Sequence, residues 1–448
     1  MNFITIVIDI AAITFVGYCI GELYLFATSY NLFKKVALSY ALGFGLIGMQ
    51  MFVYSELGVS WNVTNLVIPW TIVFAYFFIR KKPKINGLKI SNLFRHQNFA
   101  KSEKFLAILV FLLLFFVGVE SIMRPIQAWD GWDNWVFRSN VFYMNGEIDK
   151  YYFSYTTDSY PLLIPLTVTA GYLSIGEIDD RTILLFYYMF YASLGILFYS
   201  VAKEHAGRKI ALLFTFLLLS TQNFVRHGGR FEVGQADLAV GFYIFAGAIV
   251  LFDYLKSKSA RSLLLLSFIL GISIGIKNDA LPFTFLALGI ALYSILKEKK
   301  FLRIIYLIPF PLLVLPWELF KRVNHLHANF LIRDGVSLHL ERIPNVAITM
   351  SKEFLNMQNW NLLWITFILC LYIFRKDLKH QRLIISIIAF QWLAYVAIFL
   401  IIPSDPTSQI NAVANKLYLH IGPLAVLTIV LIYRNILGGK IKTLRKSV

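Results

Sequence analysis

Two aspartates three residues apart, Asp130 and Asp133, lie in the stretch AWDGWDNWVF, with Trp129, Trp132 and Trp135 at the same spacing. On a helical turn, residues three apart share a face, so the two carboxylates are predicted side by side. Such a pair suits general-base chemistry or cation binding, and the spacing leaves open which of the two is the base. The tryptophans suit a lipid–water interface or stacking on a sugar ring. Asp237 opens the apolar run DLAVGFYIFAGAIVLFDYL, where it either caps a helix or faces a ligand. Lys277, Asn278 and Asp279 sit together between two apolar runs, and Lys416 precedes His420 by four residues ahead of the last one. Arg226 and Arg230 bracket the turn RHGGR, and Tyr160 begins a Tyr-Pro-Leu-Leu patch. Basic side chains in such places either anchor a helix end by snorkelling or hold a phosphate. His227, His325, His327 and His339 show no metal-ligand spacing. His325 and His327 together leave a divalent metal open, and no cofactor is assigned.

The elements that must position these residues are membrane spans. The chain has 448 residues, 58% hydrophobic and 15% charged, with mean hydropathy +0.66. A soluble chain carries about 25% charged residues. Here the apolar residues form repeated stretches of roughly 16–22, the length that crosses a hydrocarbon core as helix. Strand-type alternation is absent, so an all-α polytopic protein is expected rather than a barrel. The net charge of +17 would suggest nucleic acid in a soluble protein. In this chain membrane topology accounts for it and no nucleic-acid partner is expected. Cys19 and Cys370 both lie in apolar segments and build neither a disulfide framework nor a metal motif. Residues 1–26 lack a basic leader and a cleavage site and read as a retained span. Asp9 and Glu120 lie within or near spans, where a carboxylate calls for a partner that the sequence does not name.

Most of the 42 basic residues fall in clusters between apolar stretches, and the positive-inside rule makes these clusters cytoplasmic. The rule holds along the whole chain only if 160–176, which carries two prolines, does not cross; it is predicted as an interfacial or re-entrant helix. About 13 spans then follow, near 3–26, 36–56, 59–79, 105–124, 182–202, 209–224, 236–255, 262–276, 280–297, 303–319, 359–374, 383–403 and 417–434. The N-terminus is placed outside and the C-terminus in the cytoplasm. Three outer segments remain: 125–181, 320–358 and 404–416. The chain divides into a three-span extension with a basic loop (1–104), a central module (105–300) and a C-terminal region (301–448) whose outer loop is a candidate lid.

Asp130 just past a span, the Tyr160–Pro161–Leu162–Leu163 patch, Asp237 at a later helix start, the Lys277–Asp279 turn and the late Lys416 segment occur in an order that resembles the GT-C glycosyltransferases. These multi-spanning enzymes include protein mannosyltransferases and the aminoarabinose transferase of lipid A. Asp130 is followed by Gly131 where the family often has a second acid, and Asp133 is the candidate substitute. The resemblance implies transfer of a sugar, with inversion, from a polyprenyl-phosphate donor to a lipid, glycan or protein acceptor on the extracytoplasmic face of a bacterial inner membrane. It implies Asp130 or Asp133 as base. Asp237, Lys277, Asp279, Lys416, Arg226, Arg230 and Tyr160 would contact substrate or phosphate. The alternatives are a lipid-linked glycan flippase or exporter, and an O-antigen ligase or polymerase.

Overall fold

The computed structural model describes residues 2–82, 99–149, 153, 160–326, 337–402 and 405–446. Among these the chain is helical, with no strand, as expected where lipid cannot satisfy open backbone groups. The helices are α1 (Asn2–Ile20), α2 (Leu32–Glu56), α3 (Val63–Lys81), α4 (Lys101–Met123), α5 (Phe137–Asn145), α6 (Leu163–Ile175), α7 (Leu184–Ala206), α8 (Arg208–Leu219) and α9 (Gln222–Gly229). They continue with α10 (Asp237–Ser257), α11 (Ala260–Ile276), α12 (Leu281–Lys297), α13 (Pro309–Val323), α14 (Ile343–Phe354), α15 (Met357–Trp360), α16 (Leu363–Ile373), α17 (Arg382–Ile401) and α18 (Pro406–Lys446).

Nine of the described helical segments are long and apolar enough to cross a membrane, and ten if Phe301–Leu307 and α13, bent by 48°, form one span. The protein is therefore an all-α polytopic membrane protein. Three expected spans are shorter helices. The 209–224 stretch is the twelve-residue α8, which stops at Ser220 before α9 begins. The 262–276 stretch is the 17-residue α11, and 359–374 is the eleven-residue α16. The 160–176 segment forms α6, thirteen residues long and short of a span, with Leu163–Tyr172 buried. Its Thr167 hydroxyl donates to the Phe44 carbonyl of α2 at 2.9 Å.

Burial separates an inner from an outer set of helices. The apolar windows of α7, α10 and α18 are about four-fifths buried (78%, 83% and 83%), whereas those of α3 and α4 are 11% buried and face lipid. Small residues bring backbones together. A Cβ on Gly43 would lie 1.8 Å from the Ile13 carbonyl, so α1 and α2 cross in direct contact. On Gly241 it would lie 3.1 Å from the Leu419 carbonyl, which brings α10 against α18 beside His420. Of the candidate site residues singled out in the sequence, Asp237 lies on α10 and Lys416 on α18, and the others lie in turns and short helical segments.

Candidate functional site

After α4 ends at Met123, the chain runs extended to Ala128, turns, and enters a π-helical segment, Gly131–Val136. The wider hydrogen-bond period of a π turn, common at functional sites, breaks the three-residue repeat on which a shared face depends. The expected aromatic repeat splits as a result. Trp129 and Trp132 are 70% and 59% exposed with their rings 5.8 Å apart, whereas Trp135 is buried and stacks on Tyr160 at 5.3 Å. The two aspartates also differ. The Asp130 carboxylate pairs with the Lys416 ammonium, contributed by α18 286 residues away. Asp133 is half-buried and makes no hydrogen bond or ion pair among the described residues.

Beside this pair lies a second, largely internal group. Asp237 is the first residue of α10 and does not cap it; its side chain is wholly buried and turned to Lys277. Lys277 follows α11 in an extended conformation that aims its side chain back into the bundle. Its Nζ reaches Asp237 Oδ1 at 2.7 Å and Asp279 Oδ2 at 2.9 Å. Burial opposes the lysine charge, but the two carboxylates outweigh it and hold the amine well above the usual lysine range. On α18, one turn beyond Lys416, His420 Nε2 approaches Asp237 Oδ1 at 3.4 Å. Its Nδ1 lies 2.7 Å from the Tyr395 hydroxyl. Gln391 Nε2 donates to that hydroxyl at 2.6 Å and to the Asp279 carbonyl at 3.0 Å. With its oxygen accepting from Gln391, Tyr395 gives its proton to Nδ1. That assignment leaves the hydrogen of a neutral His420 on Nε2, facing Asp237.

Asp237, Asp279 and His420 present ligand atoms all within 4.8 Å of one another, a set that could hold a cation. The Lys277 ammonium bridges the two carboxylates and already supplies a positive charge there. His325 is exposed at the end of α13 and is not part of this group; His327 lies outside the described residues. Asp237 Oδ2 and His420 Nε2 are buried without a hydrogen-bond partner, a state that disfavours the isolated protein and favours a polar ligand.

The remaining sequence candidates divide. Tyr160 belongs to the site. Its ring covers Trp135, its carbonyl accepts from Arg138 at 3.0 Å, and burial raises its phenol while Lys277, Asp279, Asp130 and Asp237 all act on it. Arg226 and Arg230 are each held by a glutamate instead. Arg226 bonds Glu232 at 2.6 Å and Asn359 at 3.2 Å, and Arg230 lies 3.2 Å from Glu120. Gln391 and Tyr395 were not singled out from sequence. Their one signal is a pair of polar groups four apart in an apolar span, which places both on one helix face.

His227 is a further residue that spacing did not single out. It is buried in α9 with neither ring nitrogen hydrogen-bonded. Burial pushes its imidazole down to about 4. Between about pH 6.5 and that value the unfolded chain takes up a proton that the folded chain refuses, so stability falls as pH falls, by ~3 kcal/mol in total. Thermal unfolding of the detergent-solubilised protein at pH 7 and pH 4.5 checks this; His227→Leu is expected to flatten this part of the pH dependence.

Asp130, Tyr160, Asp237, Lys277, Asp279 and Lys416 thus meet on one side of the bundle, with His420, Tyr395 and Gln391 behind them. Comparison with known protein-family models, curated proteins and solved structures gives no match, so what this site does has to be argued from its own geometry.

Proposed function

We infer that the chain is a GT-C-type membrane glycosyltransferase that moves a sugar from a polyprenyl-phosphate donor to an acceptor on the extracytoplasmic face. The observation that carries the reading is the Asp130–Lys416 pair, an acid and a cation 286 residues apart in sequence brought together beside the buried Lys277 group. In this reading the donor phosphate draws the Lys416 ammonium to itself and frees the Asp130 carboxylate. Asp130 then takes the acceptor hydroxyl proton as the acceptor oxygen bonds to the anomeric carbon. The bond from that carbon to the phosphate oxygen breaks, its electron pair goes to the phosphate, and isoprenoid phosphate leaves with inversion. Trp129 and Trp132 offer exposed rings for the sugar face.

The reading includes the finer topology: about 13 crossings, with the short helices α8, α11 and α16 completed by neighbouring turns. It also includes a non-crossing α6 near the outer interface, the N-terminus outside, the C-terminus in the cytoplasm, and a bacterial inner membrane. A lipid-linked sugar flippase is the second reading, favoured by the burial of Asp237, Lys277 and His420 inside the bundle.

Purified protein in nanodiscs, given a panel of isoprenoid-phosphate sugars with lipid, glycan and peptide acceptors, separates the two. A transferase releases isoprenoid phosphate and yields a glycosylated acceptor. Movement of intact donor across proteoliposomes, with no product from any donor, would transfer the assignment to the flippase.

A further inference from the structure

Glu120, near the end of α4, accepts from Arg124 at 2.7 Å and from Arg230 at 3.2 Å through the same oxygen, Oε2. Both guanidiniums also lie over the Phe231 ring, at 5.2 and 5.1 Å from its centre. The two arginines are therefore held side by side with one carboxylate between them, which leaves one positive charge in excess. The two arginine side chains remain partly open, at 33% and 26% exposure. Two forked donors around a common point match the oxygens of a phosphate.

The setting specifies what kind of phosphate. α4 is the most lipid-exposed of the long helices together with α3, and Phe111, Phe115, Phe116 and Met123 are exposed along it. The cluster lies where this apolar face ends, and six residues further along the chain is Asp130. A phosphate whose tail is a hydrocarbon chain fits both halves: the chain lies along α4 and the headgroup meets the arginines.

We propose that Arg124 and Arg230 form a clamp for the phosphate of an isoprenoid-phosphate lipid at the membrane-facing entrance to the site. The destination of that lipid rests on the transferase reading; its capture does not. Arg230 on this account acts before the chemistry, outside the group around Lys277.

The test uses the full chain in neutral detergent and measures binding of farnesyl phosphate. Arg124→Gln/Arg230→Gln is expected to weaken binding by at least about tenfold. Arg124→Lys/Arg230→Lys, which keeps the charge and loses the fork, should fall between. Glu120→Gln removes the competing carboxylate and should tighten binding several-fold, a gain that misfolding cannot mimic. Wild-type affinity in the double glutamine variant, or weaker binding in Glu120→Gln, overturns the clamp. Displacement by inorganic phosphate at equal concentration would overturn the lipid as its source. If these binding results hold while no donor yields product, the clamp stands and the transferase reading falls.

Discussion

Asp130→Asn is expected to lower sugar transfer by about 10²- to 10⁴-fold, the range for removal of a general base, while leaving insertion and folding intact. The structure separates the two effects. The Asp130–Lys416 pair is partly open, at 32% and 13% side-chain exposure, so its loss costs on the order of 1 kcal/mol or less of stability. The change keeps shape and removes charge, and the Lys416 ammonium stays free to meet a phosphate. Asp133→Asn is the matched comparison, since Asp133 has no partner among the described residues; a small effect is expected. The measurement is initial transfer rate per milligram of well-inserted protein at saturating donor. A full rate in Asp130→Asn together with loss in Asp133→Asn would move the base to Asp133. A full rate in both would remove base catalysis from this loop.

Lys277→Met should act on stability first. Asp237 is wholly buried and Lys277 is the cation that meets it. Removing one member of a buried pair leaves an uncompensated charge and costs about 3–5 kcal/mol. His420 Nε2, 3.4 Å from Asp237 Oδ1, is too distant to take over the lysine contact. The expected outcome is a lower thermal midpoint and poor recovery after detergent extraction. The double variant Asp237→Asn/Lys277→Met should regain most of the loss, because the buried charges go together and the Asp279 carboxylate left behind is partly open to solvent. Additive damage in the double variant would show that the two side chains act independently and that the ion pair does not hold α10 to the 277–279 turn.

Hydropathy made the architecture legible where one unbroken helix fills a span, whether it is outer or inner. The expected 383–403 span is α17, Arg382–Ile401, and 236–255 is α10, Asp237–Ser257. It was less informative where an apolar run holds a short polar break. The 209–224 stretch reads as one span although Ser220 and Thr221 divide it into α8 and α9. The site was legible as residue types: acids and lysines at the ends of apolar runs. Their partners were not, because Asp130 with Lys416 and Lys277 with Asp237 are joined by tertiary packing that no local period encodes. The π turn at Gly131–Val136 has no distinct pattern either, and it sent Trp135 inward and left Trp129 and Trp132 outside. Arg226 and Arg230 looked equivalent to the lysines by charge alone; the glutamates that hold them come from the turn after α9 and from α4.

Lys416 and His420 are one helical turn apart on α18, the first against Asp130 and the second against Asp237. A single rigid rod therefore bears on both acids. Any roll or slide of α18 that lifts Lys416 from Asp130 must also change how His420 sits over Asp237, and through Tyr395 and Gln391 the backbone of Asp279. The partly open acid and the buried one thus share one helix, and their contacts to α18 are not independent of each other.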